Sequence, residues 1–260
     1  MSDPTATDNR RFVDVTIEHG VARVRLNRPE RLNAISPQVA SQLLDALNEA
    51  HHRGARIIVL AGQGRAFSSG HDLKEPDYPA GSPESDQHLR TLQHLTRRLM
   101  APEVVSIAAV HGWALGAGAE IALACDIVVA DTTAKIAFPE VQAGLSMTGG
   151  GSYLLPRIVG LSRAKKLMLL GETLDAATAH EWGIVADIAE DGKLEPLVTT
   201  YIESILAMPQ PGLHLAKKSL LASMDATLEQ TLENEIDHAT HTLGSDELRE
   251  ARHSHWATKQ

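Results

Sequence analysis

Two glutamates stand where a carboxylate needs a reason. Glu120 interrupts the apolar run "LGAGAEIA" (residues 115–122), and Glu140 follows Pro139 in "FPEVQAGL" (residues 138–145). A carboxylate inside such a run either turns out to water or is held inside for chemistry. Held inside, two carboxylates flanking one substrate carbon pair can divide acid and base work, one taking a proton from water and the other delivering a proton to carbon. Plainer readings stay open at this level: Glu120 on a helix surface, and Glu140 at a helix start, where its charge suits the dipole.

The elements that must position them share a design. "GRAFSSGHDLKE" (64–75), "VHGWALGAGAE" (110–120) and "FPEVQAGLSMTGGGSYLLPR" (138–157) each run from a buried strand through small residues into a helix start. Small residues let another molecule approach the backbone, and N–H groups freed at a helix start favour negative charge. Each such turn taken alone is also a common packing device.

Around these segments the pattern is α/β. Alternation over residues 13–26 about His19-Gly20 predicts a hairpin, and Ser36 with Pro37 predicts a capped helix through about Arg53, ended by Gly54. "RIIVLAG" (56–62) and "EVVSIAAVHG" (103–112) are buried strands, "YPAGSPESD" (78–86) is a mobile loop, and a helix follows from about Gln87 to Met100. A tight helix in "GAGAEIALACD" precedes "IVVAD" and "AKIAFP", read as a strand pair. Beyond Lys193 only helical spacing continues. The expected organisation is a flexible lead-in (1–12), an α/β core carrying the site (13–193) and a helical region for oligomer packing (194–260).

Composition excludes several classes. Of 260 residues 43% are hydrophobic but only 3% aromatic, so a mainly aliphatic core is expected and aromatic stacking platforms for bases or sugars are not. A net charge of −9 gives no broad attraction for nucleic acid or an anionic membrane, so an anionic ligand needs a local basic patch. No stretch approaches the roughly 18 apolar residues of a membrane span, and the start "MSDPTATDNRRF" lacks a signal-peptide run, so a soluble, cytoplasmic protein is expected. The single Cys125 reads as a core thiol. His238, His241, His253 and His255 lack the cysteines or acidic cluster that would complete a metal site, and none is expected.

Taken together the segments resemble the crotonase, or enoyl-CoA hydratase/isomerase, family over nearly the whole chain. The resemblance rests on "LNRPERLNAIS" (26–36), "GRAFSSGHDLKE", "AAVHGWALGAGAEIALACDIVVAD" (108–131), "KIAFPEVQAGL" (135–145) and the later "LPRIVG" and "LLGETLDAATAHEWGIV", all in order and spacing. It implies a crotonase-like spiral of ββα units with a C-terminal helical appendage. An acyl-CoA thioester would bind there, its carbonyl held by the main-chain N–H groups of His71 and Ala117, with Glu120 and Glu140 as the acid/base pair. Arg28, Ser69, His71, Asp72, Leu73, Lys74 and Gly116 would contact substrate or CoA, with Arg31 a weaker contact, and Trp113, Met147 and Thr148 would line the acyl pocket. It further implies trimers, often paired into hexamers, and no cofactor beyond the CoA carried by the substrate. Keeping both glutamates favours reversible hydration of a 2-enoyl-CoA. The alternatives are a Δ3,Δ2-enoyl-CoA isomerase and a catalytically idle acyl-CoA binder.

Three stretches depart from the family's usual pattern. "GAGA" replaces "GGG" and leaves Ala117 as the donor, "GLSMTGGGSYLL" (144–155) alters the acyl-pocket segment, and "REARHSHWATK" (249–259) alters the tail.

Overall fold

The computed structural model describes residues 10–74, 79 and 81–243. Val13–Glu18 (β1) and Val21–Leu26 (β2) form the expected antiparallel hairpin, with His19 and Gly20 both at positive φ in its turn. Phe12, placed by sequence in the lead-in, is already core: it is 5% exposed, and its N–H donates to Gln42 Oε1 at 2.7 Å. Ser36 Oγ accepts the Val39 N–H at 3.3 Å and Pro37 opens Pro37–His52 (α1). The same Ser-Pro signature at Ser82 and Pro83 opens Pro83–Leu99 (α2) about one turn before the expected start. The end of the segment read as a mobile loop is therefore helix; Tyr78 and Ala80 lie outside the described residues.

The chain then shuttles between two sheets. Ile57–Gly62 (β3), Val105–Val110 (β5) and Ile127–Asp131 (β7) lie in one, followed respectively by Ala66–Ser68 (β4), Trp113–Leu115 (β6) and Lys135–Ala137 (β8) in the other. After β4 comes α2, after β6 Ala117–Leu123 (α3), and after β8 Gly151–Val159 (α4) and Leu161–Leu170 (α5). Thr173–Asp175 (β9), Ala176–Glu181 (α6) and Asp187–Ala189 (β10) complete the sheets, and Leu194–Leu206 (α7), Gln210–Ser223 (α8) and Leu228–Leu243 (α9) follow. The larger sheet has the order β1-β2-β3-β5-β7-β10, parallel from β2 onward, and the smaller β4-β6-β8-β9. Successive ββα units thus step sideways by one strand, which is the spiral. β7 and β8, expected to pair, do not: residues 132–134 carry the chain across to the other sheet, where β8 lies between β6 and β9.

One face of the large sheet carries the main aliphatic core with α1, α2 and α3, built from residues such as Leu43, Leu95 and Phe67. Its other face is covered by α7, whose Val198, Ile202 and Ile205 pack on Val59, Ile107 and Val129. The change of pattern at Lys193 therefore does not mark the edge of the core. For the site, one feature of the small sheet matters most. β4, β6 and β8 are adjacent and parallel, so the three small-residue turns leave their C-terminal ends side by side.

Candidate active site

Gly116 (φ +50°) turns the chain from β6 into α3, and the first turn of that helix leaves the Ala117 N–H without an intrahelical acceptor. From β4, Gly70 (φ +83°) presses its main chain against this turn. A Cβ at Gly70 would stand 2.4 Å from the Leu115 carbonyl oxygen and 3.4 Å from the Ala117 nitrogen. His71 bridges Ile35: the Ile35 N–H donates to Gly70 O (2.7 Å) and the Asp72 N–H to Ile35 O (3.1 Å). In such a parallel bridge the His71 N–H points away from Ile35. The two expected main-chain donors thus belong to abutting turns.

Glu120 is not on a helix surface. It is 2% exposed, and its Oε1 accepts the N–H groups of Gly149 (3.0 Å) and Gly151 (2.9 Å) while Oε2 accepts that of Thr148 (3.3 Å). The glycines of "TGGGS" (148–152) have their reason here. A Cβ on Gly149 would lie 3.0 Å from Glu120 Cβ, and one on Gly151 2.9 Å from Oε1, so glycines let the chain wrap the carboxylate.

Glu140 opens a short 3₁₀ turn after Pro139, and both its carboxyl oxygens are shielded from solvent without a hydrogen-bond partner among the described residues. Oε1 faces Gly116, 3.1 Å from where a Cβ would stand there. Burial pushes the Glu140 carboxyl above its ordinary value of 4.5; its own main-chain N–H opposes this and the charge of Glu120 adds to it. One carboxylate is cradled by main-chain N–H groups and its neighbour is left bare, so the two like groups sit in different surroundings.

Glu140 opens on a cavity of about 200 Å³ walled by Phe138, Leu145, Met147, Met168 and Leu169. Met147 lines this cavity, whereas Thr148 serves Glu120 through its main chain. Trp113 does not line this cavity: on β6 the buried residue is Ala114, and Trp113 is 42% exposed. Among the expected CoA contacts, Leu73, Lys74 and Arg31 are exposed. Arg28 is enclosed, its Nη1 donating to Asp72 Oδ2 at 2.5 Å and its guanidinium lying over the Phe12 ring. Asp72 Oδ1 in turn accepts the Lys74 N–H at 3.1 Å, and the Ser69 hydroxyl donates to Arg31 O at 3.3 Å. The loop that carries His71 is therefore tied at both ends to residues 28–35.

Sequence reasoning missed two residues of α2. His88 is buried, with Nε2 3.5 Å from His71 Nδ1, and burial, with the His71 charge, lowers its pKa from 6.5. Thr96 donates from Oγ1 to Gly149 O at 2.6 Å. Neither has a local signal, because each meets its partner only through packing. Elsewhere, Cys125 is buried and burial raises its thiol pKa, which removes thiolate reactivity and fits the core-thiol reading. His238 Nδ1 meets Ser219 Oγ at 2.6 Å, His253, His255 and "REARHSHWATK" lie outside the described residues, and no group of metal-binding side chains forms among those described.

A profile of the enoyl-CoA hydratase/isomerase family matches residues 16–260. The chain belongs to that family. It is 35% identical to the 1,2-epoxyphenylacetyl-CoA isomerase of Escherichia coli strain K12 over 92% of this chain and 93% of that protein. Among solved structures of the family, an enoyl-CoA hydratase from Bacillus anthracis superposes with a TM-score of 0.88 at 26% identity, covering 95% of this chain and 97% of its own. A Thermobifida fusca protein crystallised with acetoacetyl-CoA has a TM-score of 0.83 at 31% identity, covering 89% of this chain and 94% of its own. Family members thus share this fold and differ in reaction. No described helix is long and apolar enough to cross a membrane.

Proposed function

We propose that the protein reversibly adds water across the 2,3 double bond of a 2-enoyl-CoA, giving the 3-hydroxyacyl-CoA. The observation that carries this reading is the unequal pair: Glu140 bare, shielded and shifted toward its protonated form, beside Glu120 with its oxygens on three main-chain N–H groups. The thioester carbonyl sits between the N–H groups of His71 and Ala117, where the oxygen of the enolate gains roughly 3 kcal/mol or more from fixed donors. Water attacks the β-carbon as its proton passes to Glu120, and Glu140 gives its proton to the α-carbon. Exchange of the proton from Glu120 back to Glu140 completes the cycle.

The cavity beside Glu140 takes the acyl group, and the reaction uses no cofactor beyond the CoA of the substrate. Lys74 and Arg31 offer exposed charge to the CoA phosphates, while Arg28 holds Asp72 and through it the Lys74 main chain. Leu228, Leu232, Ile236 and Leu243 leave an apolar stripe exposed on α9, which supports assembly as a trimer or a dimer of trimers.

A second reading, Δ3,Δ2-enoyl-CoA isomerisation, is favoured by the cradle itself: three main-chain contacts hold Glu120 and leave Glu140 as the carboxyl of the pair that no hydrogen bond among the described residues holds. Kinetics of Glu120→Gln and Glu140→Gln on 2-enoyl- and 3-enoyl-CoA separate the two. Hydration should fall at least about 100-fold in both variants. Isomerisation that survives in Glu120→Gln, with no hydration by the wild type, would replace the first reading by the second.

A further inference from the structure

The N–H groups on Glu120 come from Thr148, Gly149 and Gly151, in a segment with three consecutive glycines, Gly149 to Gly151, and such a run has a wide choice of backbone conformations. Something must select the one that aims its N–H groups inward. Among the described residues, side-chain hydrogen bonds to the main chain of residues 146–151 come from Glu120 itself and from Thr96. Thr96 Oγ1 donates to Gly149 O at 2.6 Å, and the Thr96 methyl packs over Gly150, 3.5 Å from where a Cβ would stand. Threonine hydroxyls within helices often bond back to the carbonyl four residues earlier, as Thr91 does to Gln87 at 2.8 Å. Thr96 instead reaches out of α2. Because the peptide group is planar, holding the Gly149 carbonyl fixes the Gly149–Gly150 peptide, the unit that lies between the two glycine donors to Glu120, Gly149 and Gly151. The Gly151 N–H makes the shortest of the three contacts with Glu120, at 2.9 Å.

We infer that Thr96 is a positioning residue for Glu120, acting through Gly149 to hold the glycine cradle in its working conformation. The inference rests on the reading of Glu120 as the base. The test compares Thr96→Val, which keeps the shape and removes the hydroxyl, with Thr96→Ser, which keeps the hydroxyl. On a short 2-enoyl-CoA, Thr96→Val should lower kcat about 10-fold with KM within about two-fold, and Thr96→Ser should stay within about three-fold of wild type. In substrate-free enzyme labelled with ¹⁵N-glycine, the Gly149 and Gly151 amide signals should shift in Thr96→Val and not in Thr96→Ser. Wild-type kcat in Thr96→Val, equal loss in both variants, or unmoved glycine signals would overturn the proposal. If the wild type turns over no 2-enoyl-CoA, the hydratase reading falls while the glycine signals still decide the contact.

Discussion

At the scale of single residues, Glu120 and Glu140 share a side chain and differ in surroundings, and this difference has a consequence for stability. A carboxyl whose folded-state pKa is raised binds its proton more tightly in the folded chain than in the unfolded one. Folding stability therefore falls as pH rises from the ordinary 4.5 through the raised folded value, and stays lowered above it. Glu140→Gln removes that penalty. Thermal melts across the acidic and neutral range should show the variant more stable than wild type at neutral pH, with the gap closing as pH falls below 4.5. A catalytic loss accompanied by a gain in stability is the signature of a group held for chemistry, and an unchanged or lower melting temperature at neutral pH would refute it. Both glutamates were legible as candidates, because a carboxylate in an apolar run is conspicuous. Their unequal roles were not, since the N–H groups on Glu120 come from residues 148–151, remote in sequence.

Among the elements, α8 shows how the C-terminal helices are fastened to the core. Lys217 is 8% exposed, and its ammonium donates to Leu99 O (3.0 Å), Val104 O (2.8 Å) and Asp126 Oδ2 (2.7 Å), which meets all three of its protons. Asp126 Oδ2 also accepts the Ser106 N–H at 2.7 Å, so one network joins α8, β5 and the end of α2. Lys217→Ala should cost roughly 2–3 kcal/mol by chemical denaturation, since Asp126 keeps Ser106 and some solvent while Val104 O loses the Lys217 donor and Leu99 O keeps only the Ser106 hydroxyl. A loss below about 0.5 kcal/mol would mean the network is idle. Helix starts were legible where the Ser-Pro signature leads an apolar period, as at Ser36. At Ser82 the same signature opens a turn with no apolar side chain, so periodicity began the helix too late. The pairing of β7 and β8 with other strands depends on which sheet each joins, and adjacency in the chain carries no such information.

Across the whole molecule, the core extends beyond the point where strands stop. Removing everything after residue 193 would strip Val198, Ile202 and Ile205 from Val59, Ile107 and Val129 and expose one face of the large sheet. A chain of residues 1–193 should therefore express as aggregate, whereas a stable, monodisperse fragment would show that α7 is dispensable to the core. The sequence by itself determined the alternation of buried strands with helices, the three small-residue turns and both carboxylates, because strand periodicity, glycine placement and a charge in an apolar run are local properties, while the ββα spiral came only through the resemblance to the family. Only the tertiary structure decided that those turns lie on adjacent parallel strands, that Arg28 faces Asp72 and that Thr96 and His88 of α2 reach the site. These are contacts between segments tens of residues apart, created when the spiral brings successive units side by side and absent from any one segment alone.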